Sequence, residues 1–183
     1  MNPVILLRAL EFAAHKHRAQ CRKSGERVPY IKHPIEVARI LAEVGGVDDV
    51  DVLSAAVLHD TLEDTDTTRE ELLAAFGPTI TGLVAEVTDD KSLPSRERKR
   101  LQVVHAPHKS PGAALIKLAD KSANVGDLGE EPPPDWTAQR IRDYFDWAES
   151  VVAALPKVND ALRVHFERTL RESRKRREEV SGE

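Results

Sequence analysis

The sequence contains one cysteine, Cys21, among its 183 residues. An internal disulfide is therefore impossible, and we expect the protein to work in a reducing compartment. No apolar run approaches the ~20 residues that a membrane-spanning helix needs. The first ten residues also lack the long apolar segment of a secretion signal. Together these absences predict a cytoplasmic protein that does not bind membranes.

The chain also lacks an excess of positive charge. Charged residues make up 32% of the sequence, but the formal net charge is -4. This balance does not favour binding of the whole chain to nucleic acid or to a membrane surface. Any surface that binds an anionic ligand must therefore be local.

No run of residues alternates between polar and apolar side chains as a strand does, and helical spacing dominates. The predicted helices cover residues 3–20, 34 to about 45, 50–62, 67–77, 79–87, 95–105, 113–123, 136–155 and the chain from 157 onward. Thr67, with Glu70 three residues later, predicts a capping box. We therefore predict an all-α fold with one domain over residues 1–183, its core at about 4–165 and a charged C-terminal helix or tail at 166–183.

The segment His59–Asp64 places four ionisable side chains within six residues, at the end of an apolar run. If the predicted helix continues through this segment, His59 and Glu63 are four residues apart, and so are Asp60 and Asp64. Such spacings put side chains on one helix face. Burying a charge without a partner is costly. An imidazole and three carboxylates on one buried face indicate a metal site with a general base beside it.

A divalent ion bound by imidazole and carboxylate usually needs more than two protein ligands. Two further candidates are His33, at the start of a predicted helix, and Asp120, at the end of the apolar run 113–119. The predicted ligand set is His33, His59, Asp60 and Asp120. Glu63 and Asp64 would then be left to orient or deprotonate a water molecule. The other five histidines are expected to be structural or exposed.

The order of these residues resembles that of the HD-domain metal-dependent phosphohydrolases. More narrowly, it resembles the RelA/SpoT-homologue hydrolase domain and the stand-alone Mesh-type small alarmone hydrolases. The matching runs follow in order along the chain: 29–34 (PYIKHP), 55–65 (AAVLHDTLEDT), 87–94 (VTDDKSLP), 97–102 (ERKRLQ), 108–113, 117–121 (KLADK) and 140–147. The resemblance covers about residues 4–165.

This resemblance implies an HD-type helical bundle that removes pyrophosphate from the 3′ position of guanosine tetra- and pentaphosphate (ppGpp and pppGpp), giving GDP or GTP. It implies one divalent ion, usually Mn²⁺, whose ligands match His33, His59, Asp60 and Asp120. Glu63 and Asp64 match the pair that positions the attacking water. The implied substrate contacts are Arg22 and Lys23 at the base, Asn124 at the nucleoside, and Lys99, Arg140 and Tyr144 at the phosphates or the sugar.

One segment departs from the family pattern and leaves the nucleotide open. Residues 122–127 read SANVGD, where the family usually has a large residue pair before the Asn and an Arg near Gly126. Less bulk and less positive charge would suit a different nucleotide.

The alternatives within enzymes are removal of the 2′-phosphate of NADPH, an activity associated with animal Mesh-type relatives, and hydrolysis of another phosphorylated nucleotide. The alternative outside enzymes is a nucleotide-binding sensor with a vestigial metal site. The intact Glu63 and Asp64 argue against a sensor. Iron, zinc or cobalt would suit the same ligands, and a homo-oligomer remains possible.

Overall fold

The computed structural model describes residues 3–22 and 28–182. Within these ranges the fold is all-α, as predicted, and the only strand-like pairing is an isolated bridge between Cys21 and Pro29. The helices are α1 (Pro3–Lys16), α2 (Lys32–Glu43), α3 (Val50–Leu58), α4 (Thr61–Asp64), α5 (Arg69–Val87), α6 (Ser95–His105), α7 (Pro111–Glu130), α8 (Ala138–Ala154) and α9 (Asp160–Ser181), with a 3₁₀ turn at Ala106–His108. In this part of the chain, no helix has the length and apolar character needed to cross a membrane.

The helices α3 and α7 lie at the centre of the bundle. In α3, every residue from Val52 to Leu58 is buried, which is typical of a helix that is apolar on all sides. It packs against α1, α2 and α5, while α7 packs against α2, α5, α8 and α9. Asp120 lies in α7, and His59 directly follows the last residue of α3, so the candidate site borders the centre of the core.

The predicted helix over residues 50–62 is wrong beyond Leu58. There α3 ends, and the Thr61 hydroxyl donates a hydrogen bond to the Leu58 carbonyl oxygen over 2.7 Å. The short helix α4 follows as a separate turn. His59 and Asp60 therefore lie at a junction between two helices and not in the middle of one. The continuous helix face that was predicted to carry both of them with Glu63 and Asp64 does not exist.

The predicted start of the next helix is wrong by one residue. Its N-terminal cap is Thr68, whose hydroxyl accepts a hydrogen bond from the backbone N–H of Glu71. Thr67 is instead buried, and its hydroxyl forms a hydrogen bond with the Thr65 hydroxyl. The predicted break at Gly77 is present: this residue interrupts α5 with a φ of 78°, a conformation that suits glycine.

The C-terminal helix α9 packs closely on α7. Its side chains Phe166 and Leu170 are part of the hydrophobic core. At the contact, a Cβ atom built on Gly129 would lie 2.2 Å from the Ser173 Oγ and 2.9 Å from the Ser173 Cα. The two helices approach each other this closely because α7 has no side chain there.

We expect Gly129→Ala to destabilise the protein by about 1–3 kcal/mol, because the added methyl group overpacks the α7–α9 contact. The matched control is Gly82→Ala, since Gly82 is exposed in α5 and has no atom within 4 Å of an added Cβ. That change should stabilise the helix by about 0.5–1 kcal/mol. Urea unfolding of the two variants measures both effects. Equal effects of the same sign would contradict the proposed close contact.

Candidate metal centre and active site

Three segments bring the four predicted ligands together. His33 lies in the first turn of α2, His59 and Asp60 lie at the α3–α4 junction, and Asp120 lies in the middle of α7. His33, His59 and Asp60 offer ligand atoms that all lie within 4.8 Å of one another. The Asp120 Oδ1 lies 3.2 Å from the Nε2 of His33 and 3.7 Å from the Nε2 of His59. The cluster suggests a site for a divalent metal ion.

The orientation of His59 fits a metal ligand. Its Nδ1 lies 2.7 Å from the carbonyl oxygen of Ala56, which can only accept, so Nδ1 carries the proton. The Nε2 is buried and has no hydrogen-bond partner among the described residues, although the Asp60 Oδ2 lies 3.2 Å away. A histidine held through Nδ1 by a backbone carbonyl, with a free Nε2, is the usual arrangement at metal sites. The residues present therefore fit a divalent cation.

The charges of the cluster compensate one another. Burial alone would lower the pKa of the His59 imidazole, but Asp60 and Asp120 outweigh burial and raise that pKa to about 10. Burial would raise the pKa of Asp60, but the nearby His59 holds it well below its usual range. These carboxylates therefore stay ionised and require positive charge beside them. A bound divalent cation would supply this positive charge, and the His59 imidazole could then be neutral.

Neighbouring side chains hold the two carboxylates in place. The Tyr30 hydroxyl donates to the Asp60 Oδ2 over 2.6 Å. Asn124 donates to the Asp120 Oδ1 over 2.6 Å, and the buried Lys121 lies 3.0 Å from the Asp120 Oδ2. The sequence interpretation gave no role to Tyr30 or Lys121. The sequence could have indicated both residues, because each is a polar residue within a run that also contains a predicted ligand.

Glu63 and Asp64 have different partners. The Glu63 carboxylate accepts a hydrogen bond of 3.1 Å from the backbone N–H of Asp89 and lies 3.4 Å from the Arg98 guanidinium. Asp64 forms an ion pair with Lys91. Burial raises the pKa of Glu63, while the Asp89 N–H opposes that shift. A carboxylate with a raised pKa accepts a proton more readily, so Glu63 is the stronger candidate for a general base.

A cavity of about 530 Å³ opens beside the ligand cluster. His33, Tyr30 and Asp64 form part of its lining, and Trp136 and Tyr144 contribute aromatic rings. This volume falls within the range of small-molecule sites. The ligand cluster therefore borders a space large enough for a nucleotide-sized molecule.

The predicted substrate contacts occupy different positions around this cavity. Arg22, Asn124 and Tyr144 line it, and Arg22 is held by an ion pair with Asp127. Lys23 lies outside the described residues.

Lys99 and Arg140 do not line the cavity, and each stacks on an aromatic ring. The Lys99 Nζ lies 5.0 Å from the centre of the Trp147 ring, and the Arg140 guanidinium lies 4.3 Å from that of Trp136. Such cation–π contacts hold the two cations in place.

The segment that departs from the family pattern does not widen the cavity. Ser122 and Ala123 are buried, and a Cβ atom on Gly126 would contact Thr169 of α9 at 3.6 Å. Ser122, Gly126 and Gly129 follow helical spacing, so they share the α7 face that packs on α9. The α7 residues that line the cavity are Asn124, Asp127, Leu128 and Glu130. Small residues in this segment therefore serve helix packing.

Comparison with known proteins gives a consistent set of similarities. Residues 9–145 match the family model described as HD domain. The chain is 56% identical over 157 residues to the mouse (Mus musculus) protein guanosine-3′,5′-bis(diphosphate) 3′-pyrophosphohydrolase MESH1, covering 86% of this chain and 88% of that protein. It is 46% identical to the protein of the same name from Drosophila melanogaster, covering 91% of this chain and 93% of that protein.

A solved structure is also similar. It is that of a metazoan orthologue of SpoT that hydrolyses ppGpp and plays a role in starvation responses. This structure matches with a TM-score of 0.91 and 44% identity, covering 94% of this chain and 97% of the other.

We expect Tyr30→Phe to weaken Mn²⁺ binding roughly tenfold, because the Asp60 carboxylate loses the hydroxyl that orients it. Tyr144→Phe is the matched control, since its hydroxyl forms no hydrogen bond with a described ligand residue. Isothermal titration of both variants with MnCl₂ gives the affinities. Unchanged affinity in Tyr30→Phe would remove Tyr30 from the support of the metal centre.

Proposed function

The chain belongs to the HD domain family, and from that membership we propose that it hydrolyses the 3′-pyrophosphate of ppGpp and pppGpp, giving GDP or GTP plus pyrophosphate. The similarity to the MESH1 proteins over most of both chains supports this substrate. The observation that carries the proposal is the cluster of His33, His59 and Asp60 at the edge of a nucleotide-sized cavity. An enzyme of this kind needs both a metal centre and a binding space beside it.

We propose Mn²⁺ as the ion and His33, His59, Asp60 and Asp120 as its ligands. When bound, a divalent ion polarises the phosphoryl group and lowers the pKa of a neighbouring water. The free Nε2 of His59 and the two ionised carboxylates support this assignment. Tyr30 and Lys121 keep those carboxylates in position from outside the ligand set.

In the proposed reaction, the Glu63 carboxylate accepts a proton from the attacking water. The water oxygen bonds to the phosphorus attached to the ribose 3′ oxygen. The bond between that phosphorus and the 3′ oxygen then breaks, and the 3′ oxygen takes up a proton. Asp89 and Arg98 fix the Glu63 carboxylate for this transfer, and Asp64 helps to orient the water.

On the nucleoside side, we propose that Arg22 and Asn124 contact the substrate, as both line the cavity. Asp127 and Tyr30 hold the Arg22 guanidinium, the first by an ion pair and the second with its ring 5.7 Å away. A guanidinium fixed in this way can stack on a purine. Lys99 and Arg140 do not line the cavity, and we propose that they attract the negatively charged substrate electrostatically from behind the aromatic rings.

A substrate panel tests the proposed function. We expect the purified protein, loaded with Mn²⁺, to release pyrophosphate and GDP from ppGpp, with product identity read by ion-exchange chromatography. EDTA should abolish the activity and added Mn²⁺ should restore it. Release of phosphate from NADPH without release of pyrophosphate from ppGpp would refute the proposed substrate.

We expect Glu63→Gln to lower kcat by about 10²–10⁴-fold, because the amide cannot accept the water proton. Mn²⁺ affinity should be retained, because Glu63 is not in the proposed ligand set. Glu97→Gln is the matched control, since Glu97 is another partly exposed glutamate that pairs with an arginine, Arg100 of the same helix α6. Steady-state kinetics and Mn²⁺ titration give both quantities. Full turnover in Glu63→Gln would exclude this residue as the general base.

A further inference from the structure

Glu36 is a half-buried carboxylate on the wall of the cavity beside the ligand cluster. It lies in α2, one turn after His33, and it lines the cavity together with Arg22 and Asn124. Burial raises the pKa of Glu36, and the nearby charge of Asp127 adds to that shift. Because Asp127 also forms the ion pair with Arg22, Glu36 lies on the side of the cavity where we propose the nucleoside contacts.

The ion pair between Glu36 and its own helix is loose. The Oε1 of Glu36 lies 3.9 Å from the Nη2 of Arg39, whereas the Nη1 of Arg39 lies 2.7 Å from a carboxylate oxygen of Glu43. A hydrogen bond between nitrogen and oxygen needs a separation of about 2.7–3.2 Å. Arg39 is therefore bonded to Glu43, and the Glu36 carboxylate can still accept hydrogen bonds from a ligand.

The other acidic side chains of this cavity are less suited to bind a base. Asp64 and Asp127 are already in ion pairs. Glu130 and Glu131 are exposed, so water competes for their oxygens. Glu36 combines partial burial with a loose partner. Such a carboxylate gains most from new N–H donors, because bonds to an ionised acceptor are strong and burial weakens the competition from water.

We propose that Glu36 selects the base of the nucleotide, its two carboxylate oxygens accepting hydrogen bonds from the N1–H and the 2-amino group of guanine. The inference rests on the proposed function, which places a guanosine nucleotide in this cavity. The two donors lie side by side on guanine, so they match the two oxygens of one carboxylate. Adenine has a lone pair at N1, which a carboxylate repels. With the Arg22 guanidinium stacked on the face of the ring, Glu36 would recognise its edge.

Binding of three nucleoside diphosphates tests this assignment. GDP, inosine diphosphate and ADP carry the same diphosphate and differ in the base, and inosine differs from guanosine by the absence of the 2-amino group. We expect the Mn²⁺-loaded protein to bind GDP roughly tenfold more tightly than either of the others, because each lacks one bond to an ionised acceptor. Isothermal titration gives the affinities. In Glu36→Gln, the ratio of the affinities for GDP and inosine diphosphate should fall close to one, since the amide has a single acceptor oxygen.

Glu131→Gln is the matched control, because it removes one negative charge from an exposed carboxylate of the same lining. It should keep the parent ratio between GDP and inosine diphosphate, even if all three affinities change together. Glutamine has the shape of glutamate, so Glu36→Gln should fold, which its thermal unfolding will check.

Several outcomes would overturn the assignment. One is a parent protein that binds no GDP or binds GDP and inosine diphosphate equally, and another is a preference for GDP that survives in Glu36→Gln. Loss of the preference in Glu131→Gln as well would trace it to the charge of the cavity. If Glu36→Gln instead removed a preference for GDP over 2′-deoxy-GDP, Glu36 would bind the ribose and not the base. Because these titrations need no hydrolysis, a protein that prefers GDP through Glu36 but leaves ppGpp intact would contradict only the proposed function.

Discussion

Two ionised carboxylates, Asp60 and Asp120, lie inside the helical core, and compensation of their charge is the constraint on which the site depends. Burial opposes the ionisation of both. Positive charge from His59 and Lys121 and the hydroxyl of Tyr30 offset that cost. A buried charge that loses one partner destabilises a protein strongly, by about 3–5 kcal/mol. The partners must therefore be positioned accurately, and the apolar helices α3 and α7 provide the rigid support for this.

Much of this arrangement could be predicted because its signals are local. An ionisable residue within an apolar run indicates a buried charge, and this signal identified both His59 and Asp120 as candidates. The end of α3 at Leu58 could not be predicted, because it is marked by a hydrogen bond from the Thr61 side chain to a backbone carbonyl, and helical spacing does not show that bond. The support from Tyr30 depends on a contact between residues 30 positions apart. Sequence patterns show periodicity, but they do not show which side chains that are far apart in the chain contact each other.

The helix α7 shows how one segment serves two purposes. One side carries Asn124 and Asp127, which line the cavity, and the other carries Gly126 and Gly129, which face α9. From the sequence alone, the loss of bulk after Asp120 suggested a change in nucleotide preference. The structure gives a packing reason for it, because the small residues admit the C-terminal helix. This distinction requires the position of α9, which no local pattern contains.

The charge of the cavity limits how an anionic nucleotide can bind there. Its described lining has the two cations Arg22 and Lys32, and Arg22 is already paired with Asp127. The acidic side chains of the same lining are Glu36, Asp64, Asp127, Glu130 and Glu131. Such a surface repels a polyphosphate. The described lining therefore does not supply the attraction, and a divalent cation at the proposed four-residue cluster would serve substrate binding as well as chemistry. On this argument, metal removal impairs nucleotide affinity in addition to turnover.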